Sequence, residues 1–323
     1  MIRSHAAQIL RNAPMAPVLI GIIIVFAIIS PGFLSAFNTQ NLMRDASVLI
    51  VAAMGATLVF LISGLDLSVG STVAASAVGA AIVMQNTGNI GIALGAGLLV
   101  GVLVGAFNGV LIGYARLVPF VLTLGTLLAV RAFAYLGSAA QVGQGGTAGA
   151  VSLPIEVTGF GRGLTFGLPN IFYIAVVVVA AVAVLVGATR FGREVRLIGQ
   201  NERAAAFSGI NVKRVTFLVY TIAGLLSGIA GCMLALRLGA GNPASGDSLL
   251  LQVITAVIIG GTALAGGHGG PIRTVFGAFV IIAIDRGLTL VGFQFWDQQI
   301  VLGLVILFGT LITRRFNARR RLA

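Results

Sequence analysis

The sequence predicts an all-α integral membrane protein of about ten transmembrane helices, with two glycine-rich helix breaks and with both termini cytoplasmic. Three observations carry that prediction. Of 323 residues, 58% are hydrophobic and only 9% charged, whereas soluble domains carry about 25% charged residues. Mean hydropathy is +1.07. Apolar runs recur from Val18 to Ile312 with no polar block large enough to fold by itself, so residues 1–323 read as a single transmembrane domain with one cytoplasmic segment at 189–214.

A helix needs about 20 residues to cross the hydrocarbon layer. The first apolar stretch, Val18 to Ile29, follows a short basic segment and resembles a signal sequence. No small-x-small cleavage site follows it, so it reads as an uncleaved first span at 15–36. The next two candidates, 46–63 and 69–86, flank the first break. The fourth, 90–113, carries Gly95, Gly97, Gly101, Gly105 and Gly109, a spacing that lets helix backbones approach closely in lipid. Candidates at 118–137 and 168–188 flank an outer segment that holds only Glu156 and Arg162. The chain then yields 215–238, 251–267, 272–291 and 297–313.

Charge orients the set. The formal net charge is +12, and arginines gather at Arg3 and Arg11, from Arg190 to Arg214, and from Arg314 to Arg321. Ten crossings place all three groups on one side, as expected when basic loops stay cytoplasmic. Arg44, Arg237 and Arg286 fit that count less well. No aromatic-interleaved basic surface is present to stack bases, which argues against nucleic acid as partner. Cys232 is the only cysteine, and His5 and His268 lie far apart in sequence, so neither a metal-ligand cluster nor a nucleophile and base can be read, and no cofactor or enzymatic role is expected. Trp296 beside Asp297 reads as an interfacial anchor.

The first break runs from Ile62 to Ser71 and contains Gly64, Asp66, Ser68 and Gly70. Irregular backbone at membrane depth is tolerated only inside protein or along a water-filled cavity. Asp66 therefore either lines a polar path or caps the following helix, and the sequence weighs the two equally. A second break, Gly260 to Pro271, has the same character in the other half. Each is followed by a span, which hints at an internal repeat and at a transport path near discontinuous helices. His268, within it, reads as a loop residue.

The cytoplasmic segment holds a short helix in waiting. Asn201 can cap it, Glu202 suits its positive end, and Gly209 can close it after about two turns. Two turns are too few to be stable alone in water, so the helix needs a partner to pack on.

The stretch Gly64 to Ser71, the run Asn108 to Ile112 with Pro119, Phe120 and Thr123 to Thr126, then Arg131, resemble the ribose, xylose and arabinose type of ABC-importer permease. So do the segment around Asn201, Tyr220 to Gly231, and Val257 to Gly267, in order and over nearly the whole chain after the first span. The resemblance implies a monosaccharide or related small polyol as cargo and the bacterial inner membrane as location. It implies three partners: an ATP-binding-cassette ATPase subunit, a periplasmic sugar-binding protein, and a second permease copy or close paralogue. It also implies that 201–208 is the coupling helix, with Gly199, Asn201, Glu202, Arg203, Ala205, Gly209 and Ile210 as coupling residues. Glycines 199 and 209 would serve as flexible ends, and Arg193, Arg196 and Arg203 would meet acidic groups on the ATPase.

Permeases of this kind carry a Glu-Leu-Asp pair of acids before the second break, where this chain has Leu250-Leu251-Gln252. Any charge-dependent role of that pair is open here. No Walker A run surrounds the one lysine, Lys213, so ATP would be bound by the partner. Asp66, Ser68, Asn108 and Thr123 can offer hydrogen bonds to a sugar, and Phe120 a stacking face. The rival reading is a self-contained ion-coupled carrier using Asp66, or Asp285 with Arg286.

Overall fold

The computed structural model describes residues 15–142, 149–305 and 307. The basic groups at Arg3, Arg11 and Arg314 to Arg321 lie outside these residues. The chain is helical almost throughout: α1 Ala16–Ile29, α2 Ala36–Leu61, α3 Val69–Thr87, α4 Ile90–Gly113 and α5 Pro119–Val142 come first. A short β1 (Val151–Ser152), α6 (Ile155–Arg162) and the two-residue strands β2 and β3 (Leu164–Thr165, Leu168–Pro169) lead into α7, Asn170–Ala188. Then follow α8 Arg190–Gln200, α9 Glu202–Phe207, α10 Val212–Leu238, β4 Ala240–Gly241, a 3-10 turn Pro243–Gly246, α11 Asp247–Ile259 and α12 Pro271–Val291. Residues 295–305 are again helical. β1 pairs antiparallel with β4, and β2 with β3.

Among the described residues, seven helices (α2 to α5, α7, α10 and α12) are long and apolar enough to cross a membrane. The remaining apolar helices are shorter. Three expected boundaries are corrected. The second span begins at Ala36, ten residues earlier than 46, because its polar residues find partners inside the protein. The first expected span stops at Ile29, leaving 14 helical residues. The expected span 251–267 is the 13-residue helix α11 followed by irregular backbone, because Gly261, Gly266, Gly267 and Gly269 adopt positive φ, which interrupts a right-handed helix.

The core is built on α2, α3 and α10. Phe60, Tyr220, Met54, Val73 and Met233 are fully enclosed there, and α4 packs across α10 more extensively than any other pair of helices meets. The α4–α10 crossing is made of backbone. A Cβ placed on Gly101 would collide with the Gly224 carbonyl and come within 2.8 Å of Gly228, and one on Gly109 would come within 2.7 Å of the Phe217 carbonyl. The expected glycine seam therefore exists at 97, 101, 105 and 109, with dispersion between close backbones holding it. Gly95 is off the seam, with nothing within 4 Å of its Cβ position.

The arginines that fitted the charge rule poorly are bound within the bundle. Asp45 of α2 forms salt bridges with Arg237 of α10 and Arg286 of α12, and Arg44 donates to the Asn41 side chain and to the Arg162 carbonyl. Charges neutralised between helices do not count as loop charges. The same geometry gives Arg286 a salt-bridge partner other than Asp285, beside which the ion-coupled reading placed it.

Candidate functional site

At one end of the bundle the two breaks and the segment before α9 meet. Leu61, the last residue of α2, accepts a hydrogen bond from the Gly267 amide at 3.0 Å. The Ser63 hydroxyl lies 2.7 Å from the Ala265 carbonyl and 3.1 Å from the Gly199 carbonyl, and shares its hydrogen between them. Gly199 sits between both breaks: a Cβ there would collide with the Leu61 carbonyl and lie 2.5 Å from the Gly267 amide. Ser63 holds φ +60, a left-handed conformation that non-glycine residues adopt at a cost of order 1–3 kcal/mol when the surroundings impose it. Three segments distant in sequence thus share one joint.

From this joint the chain enters α9. The Asn201 side chain accepts a hydrogen bond from the Ala204 amide, as the sequence led us to expect, and Gly209 ends the element at φ +83. Glu202 pairs with Arg116 in the α4–α5 turn at 2.5 Å. Ala205 is buried and Ile210 half-buried against the core, so they seat the helix on its own chain. Gly199 is a correction: it is helical and buried in α8, so it is a contact point and not a flexible end. The outward side of α9 presents Arg203, Ala206 and Phe207, the last 92% exposed. Sequence reading passed over Phe207, although a phenylalanine on a six-residue polar-flanked helix was the available signal.

A cavity of ≈ 380 Å³ opens beside the joint, lined among others by Ser63, Gly64, Arg116, Pro119, Glu202 and Tyr220. Deeper, three of the proposed path residues form one chain of hydrogen bonds. Asp66 Oδ1 accepts from the Ser68 amide at 2.8 Å and from its hydroxyl at 2.6 Å, Asn108 donates to Ser68 Oγ at 3.0 Å, and Thr126 donates to Asn108 Oδ1 at 2.7 Å. This chain ties the entry of α3 to α4 and α5. Tyr220 reinforces it by donating to the Leu65 carbonyl. Thr123 is buried and donates to its own helix at Pro119, while Phe120 is exposed on α5, away from the chain of hydrogen bonds.

The entry of α11 meets the entry of α3. Cβ atoms on Gly70 and Gly246 would each collide with the other residue's carbonyl. Leu250 and Gln252 stand where two acids were expected. However, Asp247, one helical turn before Leu250 and so on the same face, forms a salt bridge with Arg131 of α5. That pair was not legible because its members are 116 residues apart.

Comparison with known proteins adds the family. Residues 38–310 match the family described as "Branched-chain amino acid transport system / permease component". The chain is 35% identical over 302 residues to the ribose import permease protein RbsC of Escherichia coli K12, covering 92% of each. It is 36% identical to RbsC of Bacillus subtilis 168, covering 92% of this chain and 91% of the relative. It is 31% identical to the autoinducer 2 import system permease protein LsrC of Escherichia coli SMS-3-5, covering 93% and 86%. No solved structure matches it. With seven helices fit to cross a bilayer and a match over most of its length, this chain belongs to that family of membrane-embedded transport permeases.

Proposed function

We propose that this chain is the membrane-spanning subunit of an ATP-binding-cassette importer in the bacterial inner membrane, carrying a monosaccharide or small polyol handed over by a periplasmic binding protein. The observation that carries the proposal is α9: a short helix with a bare Phe207, fixed at its start to the joint where both helix breaks meet. A helix of that length has no use as a free surface. Seated in a groove of an ATPase subunit, it becomes a lever, with Ser63 and Gly199 passing its displacement to both breaks. The end bearing α9 is then cytoplasmic. ATP stays with the partner, and this subunit takes no cofactor of its own.

Relatives named for ribose and autoinducer 2 import support small hydroxylated cargo. The ion-coupled alternative is disfavoured by Asp66, which is enclosed by Ser68, and by Arg286, which pairs with Asp45.

The test is co-purification with a co-expressed ATPase subunit, followed by sugar uptake in proteoliposomes supplied with the periplasmic binding protein. Gly209→Pro is expected to abolish complex recovery while leaving the permease monodisperse. Ser63→Ala is expected to leave the complex intact and lower uptake at least tenfold. A permease that drives uptake from an ion gradient without an ATPase would refute the proposal.

A further inference from the structure

The Arg131–Asp247 ion pair combines a mid-helix position with exposure. Arg131 lies midway along α5, a 24-residue apolar helix fit to cross the membrane. Its depth is set from within: Thr126, five residues nearer the joint, donates to Asn108, which in turn donates to Ser68 at the entry of α3. Yet the side chains of Arg131 and Asp247 are 37% and 50% exposed. By contrast, the members of the Asp45 cluster are 13% to 26% exposed. Each charge facing lipid at that depth would cost about 2.5–3.5 kcal/mol. The face that carries them therefore does not meet lipid.

A second, independent observation lies beside the pair. The irregular stretch before α3 and the 3-10 turn before α11 bring the starts of both helices together at Gly70 and Gly246, within the depth of the bundle. Helices that begin inside a membrane, with irregular backbone before them, are tolerated where they border a water-filled cavity, and such places hold transported solutes.

We infer that the face formed by α5, the Pro243–Gly246 turn and the start of α11 is one wall of a water-filled path, and that Arg131 and Asp247 are its contacts for a neutral, polyhydroxylated cargo. The pair carries no net charge, so it favours a neutral solute. The guanidinium donates to hydroxyl oxygens and the carboxylate accepts from hydroxyl hydrogens, and each retains capacity beyond the bond it makes to the other. This inference rests on the import reading above.

The test uses the full permease assembled with its ATPase subunit and supplied with the periplasmic binding protein. Ala244→Cys places a thiol at an exposed position of the 3-10 turn, three residues before Asp247, and Val177→Cys places one on the outer face of α7, where residue 177 is 67% exposed. Both are treated with a membrane-impermeant charged methanethiosulfonate, at rest and during ATP turnover, with the unmodified chain and its buried Cys232 as background. Thiols react as thiolates, which form in water and not in lipid. Residue 244 is expected to react at least tenfold faster than residue 177. Equal, slow reaction in both states, in complexes that still take up sugar, overturns the path while leaving the import reading in place. Separately, Arg131→Gln and Asp247→Asn are expected to leave complex recovery unchanged and to raise the KM for sugar at least threefold. An unchanged KM in both overturns the cargo contact.

Discussion

The glycine seam between α4 and α10 permits a paired test with opposite signs on one helix. Gly101→Ala adds a methyl that would lie 2.8 Å from Gly228 and closer still to the Gly224 carbonyl, where ordinary contact begins at 3.4 Å. All the obstructing atoms are backbone, so no side chain can rotate away. The helices must part by roughly 0.6 Å or more, and overpacking of this kind costs typically 1–3 kcal/mol. Opening also thins the dispersion contacts at 97, 105 and 109, because the seam is continuous. Gly95→Ala is made on the same helix, where a methyl meets nothing within 4 Å. There the gain in helix propensity, up to about 1 kcal/mol, is expected to leave stability equal or higher. The assay is the detergent melting curve of the two variants beside the parent, read by monodisperse recovery after heating. The reasoning fails if Gly101→Ala and Gly95→Ala melt together.

Two further outcomes follow from the geometry. Asp45→Asn leaves Arg237 and Arg286 facing each other without a carboxylate between them, and removing the shared partner of a mostly enclosed cluster is expected to destabilise the fold by about 3–5 kcal/mol. The readout is loss of folded protein in detergent, and wild-type recovery would show that the arginines have another counter-charge. Phe207→Ser, at an exposed position, is expected to leave the permease's melting curve within about 0.5 kcal/mol of the parent. It should weaken recovery of the ATPase complex at least tenfold, and unchanged recovery would remove Phe207 from the docking face.

Much of this was legible in the sequence where local chemistry set the boundary. The predicted spans 69–86 and 90–113 coincide closely with Val69–Thr87 and Ile90–Gly113, because Gly88 ends one helix in a left-handed turn and Asn89 caps the next through Gly91 and Ile92. The Asn201 cap and the Gly209 stop were readable for the same reason. Reading failed where a partner far along the chain decides. Arg44 lay just before the expected span 46–63 and fitted the charge rule poorly, and only the Arg162 carbonyl, with Arg237 and Arg286 on the neighbouring Asp45, makes this stretch part of a helix interior. Gly199 looked like a hinge because flexibility is the usual reason for a glycine between helices, whereas the close approach of Leu61 and Gly267 demands one. The joint itself joins Ser63, Gly199 and Ala265, three positions with no local pattern in common.

The seam also constrains how the protein is made. Gly101 leaves the ribosome well before Gly224 does, and at about 5–20 residues per second the interval is on the order of ten seconds. Throughout it, the groove of α4 that faces α10 stays bare, although α3 and α5 already offer contacts to other sides of the helix. Its own hydrogen bonds are internal, so the wait costs little free energy, but the groove is open to any small-faced helix nearby. Correct biogenesis then depends on α10 arriving before a helix of a neighbouring chain does. Slow translation between 113 and 212, or crowded insertion sites, is expected to yield tangled oligomers whose individual helices are all properly formed.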